Sequence, residues 1–106
     1  NWGIFDEPFL KWACEKYSTF PEPFMSAVFT LSSHQPFSVP GAESEQHPDG
    51  THAILKSIHY TDASLAKYMA CASEKPWFQN TIFVFTADHT GPRLGSYSNF
   101  SAQFEI

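Results

Sequence analysis

The chain has 106 residues and a formal charge of −5, with six Lys and Arg against eleven Asp and Glu. That length holds one domain or part of one. The acidic balance argues against nucleic acid or an anionic membrane surface as partner, and no stretch approaches the roughly 20 apolar residues of a membrane span.

Aromatic content is high, at eleven Phe, four Tyr and three Trp, and each ring, once buried, removes roughly 150–250 Å² from water. After a short opening with Gly3 as a hinge, Asp6 is a plausible N-cap, with Glu7 and Pro8 in a first helical turn. Phe5, Phe9, Leu10, Ala13 and Tyr17 follow helical spacing, and this helix should end near Ser18. Phe20-Pro21-Glu22-Pro23 is a stiff connector, because neither proline tolerates a helix interior. Phe24 to Ser32 reads as a buried strand ending in Ser33-His34-Gln35-Pro36-Phe37. Residues 38–52 are rich in Pro, Gly, Ser and acid, a surface loop carrying His47. At about 15 residues it is long enough for a functional excursion.

A second helix is expected from Ala53 to Lys75, with Leu55, Ile58, Leu65, Met69 and Ala72 as its apolar stripe. Asp62 falls on that stripe; a break at Tyr60-Thr61, with Thr61 or Asp62 capping the second half, accounts for it better than a catalytic role. Pro76 and Trp77 close the helix. The stretch Asn80 to Phe85 is continuously apolar and β-branched, as a strand buried on both faces reads, and it ends in Thr86-Ala87-Asp88-His89. Cys14 and Cys71 lie far apart in helical patterns and match no metal spacing, so they read as two buried thiols rather than a disulfide.

Strand, crossover with a helix, strand is a βαβ unit whose two strands should be parallel. Both would end on one edge of the sheet, where ligands of open α/β sheets bind. His34 and the Asp88-His89 pair would then share a rim. Asp88 and His89 are ready ligands for a divalent ion that polarises a phosphoryl or sulfuryl oxygen. His47, His52 and His59 show that histidine is simply frequent here, and each reads as a surface residue.

The order Trp-Gly-Ile-Phe-Asp-Glu-Pro-Phe, Phe-Thr-Leu-Ser-Ser-His-Gln-Pro-Phe, Tyr60-Thr61-Asp62, then Trp77 leading to Thr-Ile-Phe-Val-Phe-Thr-Ala-Asp-His resembles the lipoteichoic acid synthase (phosphoglycerol transferase) branch of the sulfatases, within the alkaline phosphatase superfamily. The resemblance runs across nearly the whole chain. It implies a partial three-layer α/β/α fold, alkaline-phosphatase-like, with residues 1–106 forming the carboxyl-terminal part of a catalytic domain. It implies that Asp88 and His89 ligate a divalent metal, Mn²⁺ first, with Zn²⁺, Mg²⁺ or Ca²⁺ as alternatives. His34 would contact the phosphate of a phosphate- or sulfate-ester substrate, such as a phospholipid headgroup. The family's nucleophile and an acidic metal ligand lie upstream, and no catalytic residue in that role is found here. Family members are membrane-anchored with the catalytic domain outside the cytoplasmic membrane, so the expected location is extracytoplasmic, with any membrane contact through upstream segments.

Three readings compete. The first is part of a phosphoglycerol transferase, or of a sulfatase or phosphodiesterase, inactive by itself and prone to self-association through unpaired strand edges. The second is a non-catalytic module of the same fold, and the third a free-standing βαβ metal-binding or redox domain. Two strands patterned for a three-layer fold hardly close a core, which disfavours the third.

Overall fold

The computed structural model describes residues 3–41 and 53–89. Helix α1 spans Asp6–Tyr17 and helix α2 spans Ala53–Ser73, followed by a 3-10 turn at Phe78–Asn80. Both helix bounds lie close to those read from the sequence. Among the described residues no helix is long and apolar enough to cross a membrane.

The two helices lie side by side and run in the same direction. Asp6 meets Thr61, Glu7 meets Lys67, Cys14 meets Cys71 and Glu15 meets Lys75, so partner numbers rise together along both. Parallel neighbours need a return path between them, and residues 24–32 provide it. Ser26 donates to the Tyr17 hydroxyl at 2.7 Å beside the end of α1, while Leu31 and Ser32 reach Asp6 at its start. A helix of 12 residues is roughly 17 Å long, which six residues cover only when extended over most of their length.

None of the described residues belongs to a strand, however, and the expected βαβ unit is not seen as a hydrogen-bonded ladder. The reason is visible in exposure. Met25 is 93% exposed, Phe29 81% and Ile82 89%: residues 24–32 and 81–87 are covered only in places, at Phe24, Thr30 to Ser32, Thr81 and Phe83, and have no ladder partner among the described residues. What does pack is an aromatic seam where the helices end. Tyr17, Ala13, Ala72 and Trp77 are buried together, with Phe24, Tyr68, Phe78 and Phe83 against them. The Trp77 indole N–H donates to the Ser18 hydroxyl at 3.1 Å, so its one polar atom is satisfied.

Four sequence expectations are corrected. Asp6 is not an N-cap: Phe5 holds that position without a side-chain bond, and Asp6 is the first helical residue with its carboxylate turned to other partners. Helix α2 does not break at Tyr60-Thr61; the Thr61 hydroxyl donates to Asp6 Oδ2 at 2.7 Å instead of capping anything. Its buried face is only in part the predicted stripe: Ala72 is buried as expected, but Ile54, Ser57, Tyr60 and Ser64 are buried with it while Leu55, Ile58 and Asp62 are exposed. Small side chains let the helices approach, and the two buried serines bond the carbonyls of Ile54 and Tyr60 within their own helix.

The fourth correction is that Cys14 and Cys71 form a disulfide, with Cα atoms 6.5 Å apart. Cys14 lies on the buried face of α1 beside Ala13, and Cys71 stands next to the buried Ala72. Parallel packing brings the two faces into register at that point.

This bridge closes a long loop, with a sequence separation of 57. Its removal in Cys14→Ala/Cys71→Ala should cost on the order of 4 kcal/mol by the chain-entropy estimate. Denaturant midpoints of wild type and variant check this, and equal midpoints would refute it. The Tyr60 phenol is pushed above its ordinary value of 10.0 by burial, against the opposing effect of the Glu7 N–H that donates to it. Burial thus favours the neutral phenol in the fold, so its contribution is fully present below pH 10.0 and lost as pH rises through the folded value. Melting temperature should therefore fall more steeply above about pH 10 in wild type than in Tyr60→Phe.

Candidate functional site

An open cleft of about 220 Å³ lies at the amino-terminal end of α1. Gly3, Ile4 and Phe5 form one wall; Leu31, Ser32, His34, Gln35, Pro36 and Ser38 form the other. The walls meet closely: a Cβ on Gly3 would lie 2.9 Å from Leu31 Cδ2. The cleft therefore combines an apolar floor with the imidazole of His34 at an exposed rim.

His34 is presented by two consecutive turns. Its backbone N–H donates to the Leu31 carbonyl at 3.0 Å, and the Phe37 N–H donates to the His34 carbonyl at 2.8 Å. Phe37 closes the second turn with φ 59°, in the left-handed region that non-glycine residues seldom adopt. The His34 Nδ1–H donates to the Gln35 carbonyl oxygen at 2.8 Å, since a carbonyl can only accept. That contact puts the proton of a neutral ring on Nδ1. An anion would meet Nε2–H only on the imidazolium.

The first turn is anchored by a buried carboxylate. Asp6 is 1% exposed, and its Oδ1 accepts the Leu31 N–H at 2.7 Å and the Ser32 N–H at 3.0 Å. Its Oδ2 accepts the Thr61 hydroxyl, and its own N–H donates to Ser32 Oγ at 3.1 Å. A buried carboxylate without such partners would be strongly unfavourable; here both oxygens are engaged. Sequence reading missed this role because all of these partners lie 25 or more positions away.

Asp88 and His89 follow the second extended stretch. Phe83 meets Tyr68 edge-on and Trp77 at a tilt, so the chain turns back along α2 after the 3-10 turn. Asp88 Oδ2 and His89 Nε2 lie 3.7 Å apart, with side chains 67% and 74% exposed. Ligand atoms sharing one ion at bonds of about 2.1 Å are separated by roughly 3–4 Å. The pair thus fits a divalent ion in donor type and separation, as part of a ligand shell. Neither residue lines the cleft that His34 borders.

Other groups read from the sequence fall away from this region. His59 and Asp62 are exposed on α2, and Thr86 is exposed with its hydroxyl donating to the Ala87 carbonyl at 3.0 Å. His47 and His52 lie outside the described residues. Among the described residues, Cys14, Glu15 and Cys71 form a cluster of three potential metal donors. Their sulfurs are joined to each other, so they offer no thiolate.

The sequence profile of the family described as Sulfatase matches residues 2–104. Lipoteichoic acid synthase-like YvgJ of Bacillus subtilis (strain 168) is 27% identical over 96 residues, covering 86% of this chain and 16% of the relative. Lipoteichoic acid synthase 2 of the same organism is 28% identical over 97 residues, covering 86% and 15%. Lipoteichoic acid synthase of Staphylococcus aureus (strain USA300) is 24% identical over 96 residues, with coverage of 86% and 15%. The chain thus spans about a sixth of the length of these relatives. No solved structure matches it.

Proposed function

The chain belongs to the sulfatase family, and on that premise we propose that it is part of the catalytic domain of a metal-dependent enzyme acting on phosphate or sulfate esters, most closely a phosphoglycerol transferase. The carrying observation is a sulfatase match over residues 2–104 in a chain whose Asp88 and His89 donor atoms converge to 3.7 Å. Sulfatases are generally metal-dependent and have an alkaline-phosphatase-like α/β fold. The parallel helices and the extended returns beside them support that fold, with residues 24–32 and 81–87 as parallel strands once neighbours complete the sheet.

In this reading Asp88 and His89 hold the divalent ion, Mn²⁺ before Zn²⁺, Mg²⁺ or Ca²⁺, together with ligands from elsewhere in the domain. The ion's chemistry there would be Lewis-acid polarisation of the ester oxygen. His34 donates from Nε2 to a phosphate or sulfate oxygen, a contact that strengthens as charge develops on it. The nucleophile is assigned to a part of the domain outside this chain. Resemblance to the lipoteichoic acid synthases favours a phosphoglycerol headgroup over a sulfate ester as substrate.

The same reading places the catalytic domain outside the cytoplasmic membrane, its anchor in other segments of the protein. The Cys14–Cys71 bridge supports an oxidising compartment independently of any relative, because disulfides persist there and are rare in the cytosol. The exposed Met25, Phe29, Ile82 and Val84 belong on this view against the rest of the domain, and the isolated chain would associate through them.

Two substitutions in the full-length protein test the assignments. Asp88→Ala should abolish stoichiometric Mn²⁺ binding by calorimetry, and undiminished binding would remove the pair from the metal shell. His34→Ala should lower phosphodiester turnover by about a hundredfold, a loss of 2–3 kcal/mol in transition-state stabilisation, with metal content retained. Loss of the metal in that variant would make His34 a ligand instead.

A further inference from the structure

We propose that Asp6 is a positioning residue for substrate binding: its buried carboxylate holds the Leu31–His34 turn so that the His34 imidazole stands at the rim of the cleft. The inference rests on the reading of His34 as the group that meets the substrate's phosphate or sulfate.

The chain of contacts is short and continuous. Asp6 Oδ1 takes the N–H groups of Leu31 and Ser32, at 2.7 and 3.0 Å. The Leu31 carbonyl then receives the His34 N–H at 3.0 Å. Two amide bonds to one charged oxygen therefore fix the first residues of the turn that carries the imidazole. The hydrogen bond from the Asp6 N–H to Ser32 Oγ locks the same junction from the other side. Residues just before this turn are exposed and have few restraints, Phe29 being 81% exposed. Removing the Asp6 carboxylate takes away both amide bonds at Leu31 and Ser32, while the backbone bond from the residue-6 N–H to Ser32 Oγ and the turn's own local bonds remain. Asp6 Oδ2 accepts the Thr61 hydroxyl, so the carboxylate refers the turn to both helices. Held this way, the His34 ring meets its anion without an ordering cost at the moment of binding.

A purely architectural Asp6 would stabilise the fold and leave the imidazole's contribution untouched, so a double-mutant cycle separates the two roles. Inorganic phosphate is titrated calorimetrically into the full-length protein as the probe, with melting temperature recorded for every variant. His34→Ala should weaken phosphate about tenfold and Asp6→Ala by about the same factor, while the double variant loses less than about twofold beyond His34→Ala alone. Asp6→Asn, which keeps the oxygen that receives both amides, should recover affinity to within about threefold of wild type. Thr61→Val cuts only the tie to α2; it should lower the melting temperature yet change affinity less than about twofold. If Asp6→Ala does not fold, Asp6→Glu, which displaces the carboxylate by one methylene, takes its place in the cycle with a loss of at least about threefold that vanishes in the His34→Ala background. Equal losses from the Asp6 substitution in both backgrounds would overturn the inference alone, as would a loss in Thr61→Val matching that of Asp6→Ala. Undiminished affinity in His34→Ala would overturn both the inference and the reading of His34 on which it rests.

Discussion

A single buried carboxylate ties the described parts of this chain together. Asp6 sits at the first position of α1, bonds the backbone at Leu31 and Ser32, and receives a hydroxyl from the middle of α2. A charge so buried is tolerable only when each oxygen is engaged, which makes the arrangement close to all-or-none. The helix that begins there also favours an acid in its first turn. One residue therefore fixes where α1 starts, where the returning chain ends, and how far along α2 both lie.

The opposite end of the helix pair is held by different physics. Apolar rings gather around Trp77, and the Cys14–Cys71 bridge lies between that seam and the Asp6 hub. The ion pairs Glu7–Lys67 and Glu15–Lys75, both at 2.8 Å, flank the disulfide on the solvent side. Exposed pairs of this kind contribute roughly 0–1 kcal/mol each, so they reinforce a register that the hub and the bridge already set.

What could be read from the sequence follows from how local each signal is. Helix bounds rest on neighbouring residues, and both were legible to within a few positions. The same holds for the stiff Phe20 to Pro23 connector. Helix faces were not. Leu55 and Ile58 belong to the more obvious stripe and are exposed, while α2 buries Ser57, Tyr60 and Ser64 along with Ala72, beside the point where the disulfide ties it to α1. Asp6 and Thr61 each resemble caps in sequence, and each spends its side chain on the other. Pairings across 55 or 57 positions leave no trace in spacing. His34, Asp88 and His89 were singled out chiefly by family resemblance, while the support beneath His34 was not legible at all.

The direction of the chain links fold to chemistry. Residues 24–32 run back against α1, and residues 81–83 set off back along α2, so the two segments start in the same sense. Residues 24–32 leave the aromatic seam beside Tyr17 and finish at Asp6; residues 81–87 leave the same seam beside Trp77 and pass Tyr68 on their way back along α2. The first segment therefore carries His34 to the cleft at the amino-terminal end of α1, and Asp88-His89 follow the second. Exposed apolar residues along both segments leave room for further strands without disturbing that polarity. On the proposed reading, a phosphate or sulfate ester bound by the complete domain would draw on the imidazole that follows one segment and on the Asp88-His89 pair that follows the other.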